Sequence, residues 1–152
     1  MRSGVWGGST SVGNNAIQLA VAAGYDVITT ASPKNFGYVK KLGASQVFDY
    51  NDKAVVQKVI NAFKGKTIAG ALAIGRNSTN ACADVVHACK GNKFISMATF
   101  PISFEKESGT FAKVSQFMAF SVAMWLKSKT RNIRTKFIFG SSLINNEVST
   151  VI

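Results

Sequence analysis

Proline, cysteine and acidic side chains are all scarce in this chain. Its 152 residues include only Pro33 and Pro101 as prolines, Cys82 and Cys89 as cysteines, His87 as the sole histidine, and seven Asp or Glu against eighteen Lys or Arg. Few prolines and no low-complexity segment exclude a long disordered linker. Two cysteines seven apart in a helical pattern stand about two turns from each other, too far to bridge. They read as reduced thiols of an intracellular, cytoplasmic protein. Cys82-x4-His87-x-Cys89 is not a zinc spacing and lacks a fourth ligand, so no metal site is expected. Long hydrophobic runs are missing too. The start, Met1 to Trp6, has no signal-peptide core, and the longest apolar segment, Phe117 to Leu126, is too short to span a bilayer.

The shortage of acids leaves a net charge of +11. Such an excess suits nucleic acid, an acidic membrane surface or an anionic ligand. The cations are scattered, except for Lys127-Ser-Lys129-Thr-Arg131-Asn-Ile-Arg134-Thr-Lys136. That stretch reads as a solvated connector, or more sharply as a contact for nucleotide phosphates or an acidic partner. No recognition motif is present and the lysines follow no single stripe, which argues against nucleic acid.

What is present is apolar material for one continuous core, at 47% hydrophobic residues, in a strict alternation of strand and helix patterns. Val5-Trp6 stops at Gly7-Gly8. A helix follows with Val12, Ala16, Leu19, Ala20 and Ala23 as its stripe, closed by Gly24. Val27 to Thr30 is a β-branched strand. Ser32-Pro33 resembles an N-cap and first helical proline, before Phe36, Val39 and Leu42. Gln46 to Tyr50 is a third strand. Asp52 caps a helix through Val55, Val59 and Phe63, Ala69 to Ile74 is a fourth strand, and Ser78 caps a helix running to about Cys89. Phe94 to Ala98 is a fifth strand, Phe111 to Leu126 a helix, and Lys136 to Gly140 a sixth strand near a sheet edge. The order predicts an α/β fold of right-handed βαβ units: a doubly wound, mainly parallel six-stranded sheet with helices on both faces.

The first strand–helix turn, Gly7-Gly8-Ser9-Thr10-Ser11-Val12-Gly13, carries the chemistry. Glycines permit a tight turn and close approach of backbone to a ligand, and the helix behind offers free N–H groups and the positive end of its dipole. Three successive hydroxyls add donors for phosphate oxygens. The spacing is not a strict GxGxxG, since Thr10 and Ser11 stand where a middle glycine is usual. About twenty residues on, where a carboxylate holds the ribose hydroxyls of NAD, the chain reads Thr30-Ala31-Ser32-Pro33-Lys34-Asn35. Hydroxyls, an amide and a lysine suit a 2′-phosphate, so NADP(H) is the expected cofactor. Ser32 as a mere cap and Lys34 as a mere surface charge are the structural alternatives.

Catalytic groups are nearly absent. Tyr38 lacks a lysine four residues on, there is no nucleophile elbow, and Lys64-Gly65-Lys66-Thr67 lacks the first glycine of a phosphate loop. Asp49 and Asp84 have no obvious partner.

The run Val5 to Gly13, with Gln18-Leu19-Ala20 and Gly24-Tyr25, resembles the zinc-free medium-chain reductases. Thr29 to Phe36, Lys41-Leu42-Gly43-Ala44 and Val47-Phe48-Asp49-Tyr50 strengthen the likeness, with quinone oxidoreductases and fungal trans-acting enoyl reductases as the nearest groups. The resemblance implies a Rossmann-type cofactor domain and hydride transfer from NADPH to an activated C=C or carbonyl of a small-molecule substrate. It implies that Gly7, Gly8 and Ser9 to Val12 wrap the pyrophosphate, that Ser32, Lys34 and Asn35 meet the 2′-phosphate, and that Tyr50 stacks near the adenosine phosphate. Gly75 and Met97 would line the ribose and nicotinamide side, and Phe139 and Gly140 would close over the nicotinamide; core packing is the other role open to Met97 and Phe139. Ala73 departs from the aspartate many relatives carry in the fourth strand. The family also places a barrel-like catalytic domain before the first strand and a return segment after the sixth. Both are expected to be absent here, leaving one wall of the substrate cleft and a chain inactive alone. A non-catalytic NADPH-binding or partner-binding module is the alternative, and self-association through the sixth-strand edge or the uncovered cleft face is expected.

Overall fold

A computed structural model describes residues 1–75, 77–98 and 110–137. Six strands, β1 (Arg2–Trp6), β2 (Asp26–Ala31), β3 (Gln46–Asp49), β4 (Ile68–Ala73), β5 (Phe94–Met97) and β6 (Arg134–Phe137), alternate with α1 (Ser11–Ala22), α2 (Phe36–Lys41), α3 (Val55–Phe63), α4 (Ser78–Ala88) and α5 (Thr110–Arg131). A short 3₁₀ turn, Pro33–Asn35, leads into α2. The strands form one sheet in the order β3-β2-β1-β4-β5-β6, and every pairing is parallel. Sequence order reverses direction at β1, so the crossovers to β2 and to β4 leave on opposite sides.

Side chains alternate across the sheet, and each face has its own core. Val27 and Ala31 of β2 pack with Val5, Ile17 of α1 and Val39 of α2. Ile28, between them, packs on the other face with Val59 and Phe63 of α3, Val86 of α4 and Met124 of α5. The period of two in β2 thus feeds both layers, as a strand covered on both faces requires.

Two expectations are corrected. On α1 the buried residues are Gly13 and Ile17, while Val12 and Leu19 are 48% and 71% exposed. The helix is rotated because Gly13 lies so close to the Gly7 carbonyl that a Cβ there would sit 2.3 Å from it. That contact turns residues 13 and 17 inward, whatever the count of apolar side chains. The basic stretch is likewise no mere connector, although Lys129, Arg134 and Lys136 are exposed. α5 continues to Arg131, Asn132 takes a left-handed φ of 50°, Ile133 is buried, and β6 begins at Arg134, whose N–H donates to the Lys93 carbonyl at 2.7 Å. Arg131 pairs with Asp84 at 2.5 Å, and Lys127 donates to Asn80 Oδ1 at 2.6 Å, tying α5 to α4. β6 therefore starts two residues before the expected Lys136. Among the described residues no helix is long and apolar enough to cross a membrane.

Candidate functional site

The carboxyl ends of β1, β2 and β4 meet where the strand order reverses, the place where open α/β sheets form a crevice. Gly7 follows β1 with a φ of 89°, a conformation that costs a side-chain-bearing residue and not glycine. Its N–H donates to Thr30 Oγ1 at 3.1 Å, and the next N–H, of Gly8, donates to the Thr30 carbonyl at 2.9 Å. Thr29, buried one residue earlier, donates its hydroxyl to the Val5 carbonyl at 2.7 Å. These two threonines fasten the glycine turn to β2. A Cβ on Gly8 would lie 2.1 Å from Thr29 Oγ1, so the turn fits only glycine there. Thr29 stood out in the sequence only as β-branched, and Thr30 also as one of the hydroxyls expected near a 2′-phosphate, whereas its Oγ1 accepts from the Gly7 N–H.

Thr10 is the N-cap of α1. Its hydroxyl donates to the Gly7 carbonyl at 2.8 Å and accepts from the Gly13 N–H at 3.1 Å. It is therefore spent on the turn itself, and of the three expected phosphate donors two remain. Among the described residues, the N–H groups of Ser9, Ser11 and Val12 and the hydroxyls of Ser9 and Ser11 make no hydrogen bond. Orphan N–H groups and hydroxyls at the positive end of a twelve-residue helix are chemically suited to an anion.

Beyond β2, Ser32 occupies the N-cap position of the 3₁₀ turn without capping it. Its hydroxyl accepts instead from Asn35 Nδ2 at 3.1 Å. Lys34 is exposed between them. No carboxylate lies on the segment from Thr30 to Asn35. Tyr50, just past β3, is 48% exposed. Gly75, past β4, has a φ of 98°. Met97 stands at the end of β5, but its side chain is 1% exposed and belongs to the core, so only its backbone faces the crevice end. Phe139 and Gly140 lie outside the described residues.

The two aspartates without an assigned partner both have one. Asp49 accepts from the N–H and Nδ2 of Asn51, and Asp84 pairs with Arg131. Asp49 shapes its own turn, and Asp84 ties α4 to α5.

A parallel doubly wound sheet with a glycine turn fastened at its switch point is a dinucleotide-binding type of α/β domain. The family described as zinc-binding dehydrogenase matches residues 11–100, and the chain belongs to it, within the medium-chain dehydrogenase/reductase superfamily. It is 48% identical over 146 residues to the dehydrogenase pigH of Monascus ruber, covering 95% of this chain and 40% of that protein. It is 40% identical over 100 residues to the trans-enoyl reductase tazE of Aspergillus terreus, covering 64% of this chain and 33% of the relative. The chain thus spans about two fifths or less of the length of these relatives. Among solved structures, the CurK enoyl reductase superposes with a TM-score of 0.68 at 13% identity, covering 97% of this chain and 39% of that one. The Coxiella burnetii quinone oxidoreductase gives 0.60 at 19%, covering 90% and 35%.

The family's name carries a metal. Among the described residues no three His, Cys, Asp or Glu come together. Burial pushes the Cys82 thiol up to about 12, so it stays protonated at neutral pH.

Proposed function

We propose that this chain is the NADP(H)-binding half of an oxidoreductase that delivers hydride to an activated C=C or carbonyl. The observation that carries the reading is the set of unpaired donors at the head of α1, beside a β2 end that offers Lys34 and no carboxylate. Ser9, Ser11 and Val12 would hold the pyrophosphate through N–H groups and hydroxyls. Lys34, with Ser32 and Asn35, would hold the 2′-phosphate, and Tyr50 would cover the adenosine. A carboxylate in that position would repel the same phosphate. A related mycobacterial structure, at 16% identity and a TM-score of 0.61, was solved with NADPH.

The nicotinamide supplies the hydride when bound. The chain's own residues bind and orient: the fastened glycine turn would fix the diphosphate, and the switch point at the carboxyl ends of β1 and β4 would set the direction in which the rest of the cofactor extends. The substrate and its proton donor belong to the activity of the whole enzyme, in which this domain forms one wall of the cleft.

Calorimetric titration with NADPH and with NADH tests the assignment. NADPH should bind ahead of NADH, and Lys34→Glu should weaken NADPH about tenfold or more, the effect of losing one charge-assisted contact. Equal affinity for both dinucleotides, unmoved by the substitution, would refute it.

A further inference from the structure

One hydrogen bond joins the two halves of this site. Asn14 follows Gly13 on α1, and its Nδ2 donates to Tyr38 Oη of α2 at 2.8 Å. α1 carries the pyrophosphate seat at its head. α2 continues directly from the 3₁₀ turn that carries Ser32, Lys34 and Asn35. The link therefore spans the gap between the two phosphate-binding segments, where no other side-chain bond runs from α1 to α2 among the described residues.

Stability does not account for the asparagine. Its Oδ1 is sealed from water without a partner. Turning the amide over would let Tyr38 donate to Oδ1 but would seal Nδ2 in the same place, so one polar atom is stranded either way. Asparagine is also a poorer helix former than alanine. A residue that is costly twice over at one position calls for a role outside folding.

We propose that Asn14 and Tyr38 are a positioning pair that sets the distance between the pyrophosphate seat and the 2′-phosphate turn, and so sharpens the choice of NADPH over NADH. The inference rests on the cofactor reading above. NADH has no 2′-phosphate, so a shift of α2 relative to α1 leaves its main anchor at the head of α1 in place. NADPH must satisfy both anchors at once.

The test is a double-mutant cycle in the 152-residue chain: Tyr38→Phe, Asn14→Ala and both together, each titrated with NADPH and with NADH, with melting temperatures alongside. Either single change should raise the Kd for NADPH about fivefold and that for NADH by less than about twofold, with the double variant no worse than the single ones. Asn14→Ala should melt no lower than the parent, since it removes the stranded atom. A structural role predicts the reverse: a lower melting temperature, with both cofactors affected alike or neither. That result, or additive losses in the cycle, would overturn the pairing while leaving the cofactor assignment intact. A parent chain that shows no preference for NADPH would overturn both.

Discussion

Single glycines decide whether this turn can form. A Cβ on Gly13 would meet the Gly7 carbonyl at 2.3 Å and the Gly8 Cα at 2.8 Å, and both are backbone atoms that cannot rotate away. Gly13→Ala should cost about 2–3 kcal/mol and lower the melting temperature by several degrees. Gly37 is the control. It lies exposed in α2, where an added Cβ would meet nothing within 4 Å, so Gly37→Ala should stabilise by about 0.5–1 kcal/mol. Calorimetric melting of the two variants checks both, and a silent Gly13→Ala would show that the turn can widen to admit a methyl group. At this scale the sequence was legible where a residue type is irreplaceable: the glycines and the missing carboxylate stand out unaided. It was illegible where the role depends on a neighbour. Thr10 resembled a phosphate donor but caps α1, and Thr30 resembled a strand residue with a hydroxyl for the 2′-phosphate but holds Gly7.

Helix faces are the next level, and here hydrophobic counting misled. Val12 and Leu19 belong to a plausible stripe, yet the helix is set by Gly13 against β1, and Ile17 takes the core position with no exposure at all. Ile17→Ala should cost about 2–5 kcal/mol, whereas Leu19→Ala should fall within about 0.5 kcal/mol of the parent. Denaturant titration separates the two, and comparable losses would contradict the rotation. α3 shows the opposite case. Val55, Val59 and Phe63 recur at four-residue spacing, all three are buried, and no close backbone contact competes with the pattern. The basic stretch after Leu126 failed to read as helix and strand because its charges suggested solvent. Its order comes instead from long-range partners, Asp84, Asn80 and the Lys93 carbonyl, which lie far away in the sequence.

At the scale of the molecule the alternation of strands and helices sufficed for the layers and for a parallel sheet, because crossover handedness leaves few alternatives. What composition could not show is which surface stays open. On α5, Met118, Val122 and Trp125 recur at helical spacing and are 58%, 53% and 60% exposed, and β6 forms one edge of the sheet. Self-association of this chain through that side is the expected behaviour, weakened by Trp125→Lys. Light scattering over a wide concentration range would show a rising mass that the substitution abolishes; a constant monomer mass would refute it.

The strand order also sets a timetable for synthesis. β1 is flanked by β2 and β4, but the second of these follows only after α1, β2, α2, β3 and α3. At ribosomal rates of about 5–20 residues per second, the interval of 67 positions between Trp6 and Ala73 lasts roughly 3–13 s. For that time the strand destined for the centre of the sheet has one side open and ready to pair with any extended segment nearby. The residue pair that finally closes it, Trp6 with Ala73, lies beside the glycine turn. The ties of the turn to β2 and α1 can therefore form before β4 emerges, and a holding chaperone would be most useful to the open side of β1 in that interval.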